Sequence, residues 1–290
     1  MLSILQGLSG PIMNGLLLGG LYGIVGIGMS MIFGIVRLVN LAHGDLVILA
    51  SYLGLVAVSL LHVHPLITLI VIIPAMFLIG FAVQYYLLNR VLDKGMESPL
   101  LVAFGLSIIL QNLLLLIFTP DARSLFTTLS VSTIPLGFIN IPLIYLVDFV
   151  ASFTVILLLH RFFNRTYMGK AIRAASNDEG AAQLMGINTK TMYSWAMGIA
   201  AGTAGIAGVL VGMTFTFYPH TGPEYLIIAF GVVIIGGLGS MFGTFLGGLI
   251  LGLSQILGGH FLGPGFQLLS GYLILLIVLT FKPTGLFSKG

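Results

Sequence analysis

The sequence contains no cysteine, and this absence excludes disulfide bonds, thiol catalysis and cysteine-based zinc sites. Charged residues are scarce, at 7% of 290 residues, whereas soluble proteins carry roughly a quarter. The opening stretch MLSILQGLSGPIMNG lacks the basic region and small-residue cleavage site of a secretory signal, so we expect the first apolar run to be retained. The net charge of +3 does not indicate a nucleic-acid partner, because the charges lie in loops between apolar runs.

Apolar residues dominate what is present: 58% of the chain is hydrophobic and the mean hydropathy is +1.14. A soluble fold cannot bury that much apolar surface, but lipid can solvate it. A bilayer core needs about 20 apolar residues per helix, so the chain has room for roughly eight or nine crossings. We therefore predict an all-α, polytopic transmembrane bundle that forms a single domain over residues 1–290.

Charged residues, proline and glycine delimit the predicted spans. The expected segments are 11–35, 41–61, 66–88, 99–118, 143–163, 192–213, 225–238, 241–257 and 266–281. Segment 225–238 is too short for a comfortable crossing and reads as a half-helix, so 225–257 is either two spans or one re-entrant hairpin. Segment 119–142, with three prolines, is expected to be an external loop or a partial insertion.

The cationic residues favour one orientation. With the N-terminus outside, ten of the eleven fall on the cytoplasmic side, and only Arg123 falls outside. These ten are Arg37, Arg90, Lys94, Arg161, Arg165, Lys170, Arg173, Lys190, Lys282 and Lys289. The positive-inside rule thus predicts an N-out, C-in topology.

Small residues recur at helical spacing within several spans, a pattern that lets helix backbones approach closely in a membrane. The stripes are Gly15, Gly19 and Gly23; Ala201 and Gly205; Ala204, Gly208 and Gly212; Gly243 and Gly247; and Gly248 and Gly252. The glycines 236, 237 and 239 differ, because they separate two short apolar runs. They predict a broken helix.

The longest polar segment is 164–190, which we predict to be cytoplasmic. Read as a helix from Gly169, it combines alanines with mixed charge and has Gly180 and Gly186 as breaks. This composition suits a docking surface, although an ordinary solvated loop is an equal reading of the residues alone.

The entrance to the second span reads RLVNLAHGDLVILASY over residues 37–52. It places Asn40, His43 and Asp45 at the membrane boundary, where they are either ligand contacts or caps for backbone N–H groups. On a regular helix Asp45 points away from His43, so no catalytic His–Asp pair is expected. Both could meet one ligand only if the chain unwinds at Gly44.

Other polar residues at depth are few. Gln111, Asn112 and Gln255 are expected to form interhelical hydrogen bonds or to contact a solute. Asp148 and Glu224 are placed near span boundaries. The histidines show no metal-ligand spacing, and no nucleophile, base and orienting group cluster together, so we expect neither a metal site, nor a cofactor, nor an enzyme.

No phosphate-binding loop is present. The pattern G-x-x-x-x-G-K-[ST] fails at the Gly169–Lys170 pair, because Asn164 occupies the position of the first glycine and Ala171 that of the hydroxyl. A transporter with this sequence must use a gradient or an ATPase partner.

Four stretches resemble the LivH-type permeases for branched-chain amino acids. They are VNLAHGDLVILASY (39–52), MGKAIRAASNDEGAAQLMGIN (168–188), AGTAGIAGVLVGM (201–213) and GGLGSMFGTFLGGLILG (236–252). They occur in the family's order and cover most of the chain. The resemblance implies a permease subunit of an ATP-binding-cassette importer for leucine, isoleucine and valine in a bacterial inner membrane.

The resemblance also implies partners: a second homologous permease or a second copy of this chain, two cytoplasmic ATPase subunits and a periplasmic binding protein. The family's ATPase-coupling segment maps onto 169–186, although EGAAQLMG departs from the commoner E-A-A-x-x-x-G. The implied coupling residues are Gly169, Arg173, Asn177, Asp178, Glu179, Gly180 and Gly186. Our expected substrate-path residues are Asn14, Asn40, His43, Ser51, Tyr52, Gln111 and Asn112.

Three alternatives remain from the sequence. Within the same importer class, the substrate could be urea, a short amide or another amino acid. A gradient-driven secondary transporter would be favoured by acids deep in the membrane. A channel-like subunit would use the turn at 236–240 as a filter.

Overall fold

The computed structural model describes residues 2–95, 97–136 and 139–287. In chain order the α-helices are α1 Leu2–Val36, α2 His43–Leu61, α3 Pro65–Ala82, α4 Glu97–Phe118, α5 Thr128–Val131, α6 Leu143–Arg165, α7 Tyr167–Asn177, α8 Glu179–Leu184, α9 Thr189–Thr214, α10 Gly222–Gly236, α11 Met241–Leu262 and α12 Gln267–Phe281. Strands β1 Thr133–Leu136 and β2 Ile139–Pro142 form an antiparallel hairpin between α5 and α6, with Thr133 paired to Pro142.

Eight helices in the described part of the chain are long and apolar enough to cross a membrane. They are α1, α2, α3, α4, α6, α9, α11 and, with its preceding turn, α12. The prediction of an all-α polytopic bundle is therefore confirmed. Helix α10 has only 15 residues, so the expected half-helix is also found, and α10 and α11 are two separate helices.

Helices α1 and α9 form the centre of the bundle and are largely buried. They run antiparallel. Gly28 of α1 lies against Ala200 of α9. Gly34, nearer the C-terminal end of α1, accepts a hydrogen bond from Ser176, whose neighbour Ala175 accepts one from Tyr193, nearer the N-terminal end of α9. Helix α1 packs most extensively against α11, and α9 against α3. The other spans surround this central pair.

The small-residue stripes lie at these contacts, as predicted. A Cβ atom at Gly19 would lie 2.5 Å from the Cα of Leu249, and one at Gly252 would lie 2.6 Å from the carbonyl oxygen of Gly15. Gly208 of α9 meets the backbone of Val47 in α2 in the same way. These backbones approach closely because no side chain separates them, which maximises van der Waals contact in lipid.

The four helices α1–α4 and the four helices α9–α12 are arranged as an inverted repeat. The first helix of each set is central and packs on the third helix of the other set, and the second helices, α2 and α10, contact each other. Each second helix follows a non-helical stretch, 37–42 and 215–221. Inverted repeats with broken helices near their shared axis are common in membrane transporters.

Helices α7 and α8 cover one end of the bundle, which we call the α7–α8 end. The predicted helix through this segment is wrong in one respect, because the break falls at Asp178 and Gly180 lies inside α8. Asp178 has extended backbone, and its Oδ1 caps α8 by accepting a hydrogen bond of 2.9 Å from the N–H of Ala181 in the first turn. Gly186 follows α8 with a φ of 79°, as a break requires.

The described cationic residues other than Arg123 lie within or next to the helix ends at the α7–α8 end, and Arg123 lies at the opposite end beside Phe217. Lys289 lies outside the described residues. The assignment of the α7–α8 end to the cytoplasm stays a prediction of the positive-inside rule.

Candidate functional site

The chain between α1 and α2 is non-helical over residues 37–42 and partly buried, with Asn40 and Ala42 inside the bundle. Asn40 stabilises this turn, because its Oδ1 accepts a hydrogen bond of 3.1 Å from the N–H of Ala42. Its Nδ2 lies 3.9 Å from the Sδ of Met197 in α9. The unwound stretch thus precedes His43, and Gly44 belongs to the first turn of α2.

His43 and Asp45 contact different elements, in agreement with the expectation that they form no pair. The Nε2 of His43 lies 2.8 Å from the carbonyl oxygen of Val25 in α1. The Oδ2 of Asp45 accepts a hydrogen bond of 2.5 Å from Ser107 in α4. Val25 and Ser107 lie in the middle of their helices, so both residues sit deeper than the membrane boundary at which the sequence placed them.

Asp45 also faces the N-terminus of α10. A Cβ atom at Gly222 would overlap the Oδ1 of Asp45, and a Cβ atom at Gly44 would overlap the carbonyl oxygen of Gly222. The N-terminal end of a helix carries partial positive charge, which stabilises a nearby carboxylate. The first turns of α2 and α10 therefore meet around one buried acid.

A second acid, Asp148, is buried near the start of α6, where the sequence predicted a span boundary. Its Oδ2 accepts a hydrogen bond of 2.9 Å from Thr214. Neither Asp45 nor Asp148 forms a salt bridge with a basic side chain in the described part of the structure. Hydroxyl groups, and not cations, are the side-chain partners of these two buried carboxylates.

Two other expected path residues, Ser51 and Tyr52, hold α2 in place. Ser51 donates a hydrogen bond of 2.7 Å to the carbonyl oxygen of Gly208 in α9. The ring of Tyr52 stacks on Phe118 at 4.4 Å and meets Phe217 edge-on at 5.0 Å. Both residues are fully buried within the bundle.

The remaining path residues are dispersed. Gln111 donates to the hydroxyl of Ser107 and so extends the Asp45 network, with a distance of 3.1 Å. Asn112 is exposed on α4 and bonds to the carbonyl oxygen of Ile108 in its own helix. Asn14 is half-buried in α1. None of the seven residues proposed from the sequence lines either of the two cavities described below.

A cavity of about 390 Å³ opens at the end of the bundle opposite α7 and α8, between α1, the 215–221 stretch and α10. Its lining contains Tyr22, Phe215, Thr216, Tyr218, His220, Thr221, Glu224, Tyr225 and Ile228. One carboxylate, several hydroxyl groups and two apolar side chains thus share one small space. Such a lining suits a small solute that carries a cationic group, hydrogen-bonding groups and an apolar part.

The sequence reasoning missed this cavity. It placed Glu224 near a span boundary and did not single out Tyr22 or Tyr225. The hydroxyl of Tyr22 donates a hydrogen bond of 2.6 Å to the Oε1 of Gln255, so Gln255 does form the interhelical bond expected of it. A tyrosine in the middle of an apolar span was the available signal.

The α7–α8 end is attached to both central helices. Ser176 of α7 donates a hydrogen bond of 2.9 Å to the carbonyl oxygen of Gly34 in α1, and Tyr193 of α9 donates one of 3.2 Å to that of Ala175. In α8, the Oε1 of Glu179 accepts a hydrogen bond of 2.9 Å from Thr189, the first residue of α9. A displacement of α7 or α8 would therefore reach α1 and α9 directly.

Two apolar side chains project from this polar end. At the C-terminal end of α8, Leu184 is 90% exposed and Met185 is 82% exposed. Adjacent exposed apolar side chains in a polar segment are candidates for contact with another protein or with the membrane. They were absent from the coupling residues expected from the sequence.

Besides Asp178, five of the expected coupling residues are exposed: Arg173, Asn177, Glu179, Gly180 and Gly186. Arg173 donates a hydrogen bond of 2.9 Å to the Oδ1 of Asn164. Asp178 is exposed too, but it caps α8. Gly169 is buried against the backbone of Phe162 and serves the packing of α7 on α6.

Comparison with known proteins decides the family. The sequence model described as "Branched-chain amino acid transport system / permease component" matches residues 12–279. The chain belongs to this family. It is 30% identical to the high-affinity branched-chain amino acid transport system permease protein BraD of Pseudomonas aeruginosa, over 96% of this chain and 95% of BraD. No solved structure matches the chain.

Two proteins of Escherichia coli are also similar to it. The permease protein LivH is 30% identical over 95% of this chain and 94% of LivH. The permease protein LivM is 28% identical over 49% of this chain and 33% of LivM. Membership in the permease family and eight apolar helices establish a multi-pass membrane permease.

Proposed function

We propose that this chain is the membrane-spanning subunit of an ATP-binding-cassette importer that carries leucine, isoleucine and valine across a bacterial inner membrane. The observation that carries the proposal is the match along nearly the whole chain to BraD and LivH, which are both named as branched-chain amino acid permeases. The match includes the polar 164–190 segment as well as the apolar spans.

The proposed assembly contains a second homologous permease, or a second copy of this chain, two ATPase subunits and a periplasmic binding protein. Similarity to both LivH and LivM supports a pair of related permeases. The missing phosphate-binding loop requires that ATP be hydrolysed by other chains. The exposed pair Leu184 and Met185 supplies a docking point for such an ATPase.

The 390 Å³ cavity is the proposed receiving site for the amino acid. Glu224 would face the ammonium group, and the hydroxyl groups of Tyr218 and Tyr225 would donate to the carboxylate. Phe215 and Ile228 would contact the aliphatic side chain. The lining has few charges, so binding stays weak enough for release, and the binding protein supplies most of the specificity.

Transport follows from how α7 and α8 are attached. Closure of the ATPase pair would displace α8, and the bonds from Ser176 to Gly34 and from Thr189 to Glu179 would pass the movement to α1 and α9. Because α2 and α10 pack on these central helices, their meeting point around Asp45 would shift. This shift would connect the cavity alternately to the two sides of the membrane.

The decisive experiment is uptake of labelled leucine into proteoliposomes that contain this chain with the permease, ATPase and binding protein of the neighbouring genes. ATP should drive uptake, an ATPase variant unable to hydrolyse ATP should abolish it, and unlabelled isoleucine and valine should compete. Competition by urea or a short amide, with none by isoleucine or valine, would reassign the substrate. Uptake by the chain alone under an ion gradient would instead show a secondary transporter.

A further inference from the structure

A second cavity, of about 490 Å³, lies at the α7–α8 end, where the chain after α3 meets the first turn of α9. Its lining includes Tyr85, Tyr86, Asn89, Arg90, Asn188 and Lys190. It lies apart from the proposed amino acid site at the opposite end of the bundle. Its size is within the range of pockets that hold small ligands or head groups.

The wall of this cavity is a structured turn. Helix α3 continues into a π-helical turn, Val83–Leu87, and then a 3₁₀ turn, Leu88–Arg90. The Nδ2 of buried Asn89 donates hydrogen bonds to the carbonyl oxygen of Lys190 at 3.0 Å and to the hydroxyl of Ser194 at 3.1 Å. The turn is thus attached to α9, and π-turns of this kind occur frequently at functional sites.

Two cationic side chains line the cavity. Arg90 and Lys190 are both exposed at its rim, and no carboxylate of the described residues forms a salt bridge with Arg90. Asn188 begins α9, a helix of 26 residues, and its Oδ1 accepts a hydrogen bond from the N–H of Thr191. A guanidinium group, an ammonium group and the positive end of a long helix together suit a phosphate anion.

An aromatic surface extends from the cavity along the seam between α3 and α9. Tyr85 stacks on Phe81 at 5.9 Å, and Phe81 meets Trp195 of α9 at 6.1 Å. Phe77, one turn further into the apolar part of α3, also contacts Trp195, at 5.2 Å. Tyrosine and tryptophan concentrate at the head-group level of membranes, so this seam lies where an acyl chain would continue from a phosphate in the cavity.

We propose that this cavity binds the phosphate of an anionic phospholipid, phosphatidylglycerol being the simplest, with Arg90 and Lys190 on the head group and an acyl chain along Phe77, Phe81 and Trp195. Basic pockets between membrane helices recognise anionic lipid head groups in this way. The aromatic seam favours a lipid over free phosphate, which would need only the cations.

The site is connected to α8. Thr189 and Lys190 are adjacent in the first turn of α9, and Thr189 donates its hydrogen bond to Glu179 of α8. A lipid bound to both Arg90 and Lys190 would therefore connect the chain after α3 to the first turn of α9, which is hydrogen-bonded to α8. The inference depends on this geometry alone and not on the transported substrate.

The chain contains a single tryptophan, Trp195, which makes the site measurable. The full chain is placed in phosphatidylcholine vesicles, and lipids with brominated acyl chains, which quench tryptophan fluorescence at contact, are added as phosphatidylglycerol or phosphatidylcholine. We expect brominated phosphatidylglycerol to show an apparent affinity about tenfold higher than brominated phosphatidylcholine. Equal quenching by the two lipids would overturn the proposal.

Variants identify the site. Replacing both cations, Arg90→Gln with Lys190→Gln, should reduce the phosphatidylglycerol preference to near unity. The charge-preserving pair Arg90→Lys with Lys190→Arg should keep most of it. Lys170→Gln, an exposed cation at the same end but outside the cavity, should leave it unchanged. An equal loss in the Lys170 variant would show a general surface effect and contradict the assigned site.

A competition measurement separates the two sources of phosphate. Inorganic phosphate and chloride are added at equal ionic strength to wild-type chain with brominated phosphatidylglycerol. We expect the same small loss of quenching with both salts, because screening is then the common cause. Removal of the quenching by phosphate alone would assign the cavity to free phosphate and overturn the lipid proposal.

Discussion

The hydroxyl of Ser107 donates a hydrogen bond of 2.5 Å to the Oδ2 of Asp45, and both residues are buried inside the bundle. This bond joins α4, which otherwise lies at the periphery, to the first turn of α2. Because Asp45 also faces Gly222, the same carboxylate contacts the start of α10. Asp45 thus contacts α4 in its own half of the inverted repeat and α10 in the other half.

Replacing Ser107 by alanine should destabilise the protein. The variant removes the side-chain donor to a buried carboxylate, and hydrogen bonds between membrane helices contribute ~1–2 kcal/mol. We expect a lower Tm in thermal unfolding of detergent-purified protein. Ser132→Ala is the matched control, because Ser132 is exposed and bonds only within its own turn. Equal Tm values for the two variants would show that the Asp45–Ser107 bond contributes nothing to stability.

Alanine at Gly44 should prevent the normal approach of α2 to α10. Its Cβ would overlap the carbonyl oxygen of Gly222 and lie 2.6 Å from the backbone nitrogen of Leu226, and neither backbone atom can move without displacing α10. Gly105→Ala in α4 is the control, since no atom lies within 4 Å of its added Cβ. Size-exclusion chromatography should show little monodisperse Gly44 variant and normal recovery of the Gly105 variant. Normal recovery of both would contradict the close packing.

Aspartate at Leu184 or Met185 should weaken ATPase binding without unfolding the chain, because both side chains are almost fully exposed. Co-purification with the neighbouring ATPase should fall about tenfold or more, as expected for a charge placed in an apolar contact. Val131→Asp is the control, an exposed apolar residue at the opposite end.

Asp178, the acid between α7 and α8, requires a separate variant. Asp178→Lys would break the cap of α8 as well as reverse a charge, whereas Asp178→Asn keeps a capping side chain. We therefore expect Asp178→Asn to retain most ATPase binding. Full ATPase recovery with the Leu184 and Met185 variants, but loss with Asp178→Asn, would place the contact at the junction of α7 and α8 instead of at the end of α8.

Neutralising Glu224 should weaken substrate capture. Glu224→Gln removes the carboxylate proposed to face the ammonium group, so the leucine concentration for half-maximal uptake should rise about three- to tenfold, as expected for an exposed charged hydrogen bond. The control is Asp121→Asn, an exposed acid of the same end that does not line the cavity. An unchanged half-saturation in the Glu224 variant would exclude this role.

Much of the architecture was predictable, because long apolar runs leave few alternatives in lipid. The spans, the short α10 and the glycine contacts between α1 and α11 all agree with the structure. The individual path residues were less accessible to prediction. Asn112 turned out to face away from the bundle, since helical spacing does not reveal which face of a uniformly apolar helix is inside.

The polar 164–190 segment was also predictable only in part. Its extent and its place at one end of the bundle follow from composition, whereas the break at Asp178 depends on a side chain that bonds its own backbone two to three residues on. Gly180 was predicted to break the helix because glycine is a poor helix former. The helix breaks at Asp178 instead, because the Asp178 side chain caps α8.

Composition alone predicted that lipid surrounds this chain and that the chain crosses it roughly eight or nine times, because backbone groups in hydrocarbon must be satisfied within helices. Only the tertiary structure decided which residues of distant segments contact each other. Asp45 contacts Gly222, which lies 177 positions later in the sequence, and Tyr22 donates a hydrogen bond to Gln255, which lies 233 positions later. No local pattern encodes such meetings, since they arise only when whole helices pack and their few polar side chains find partners.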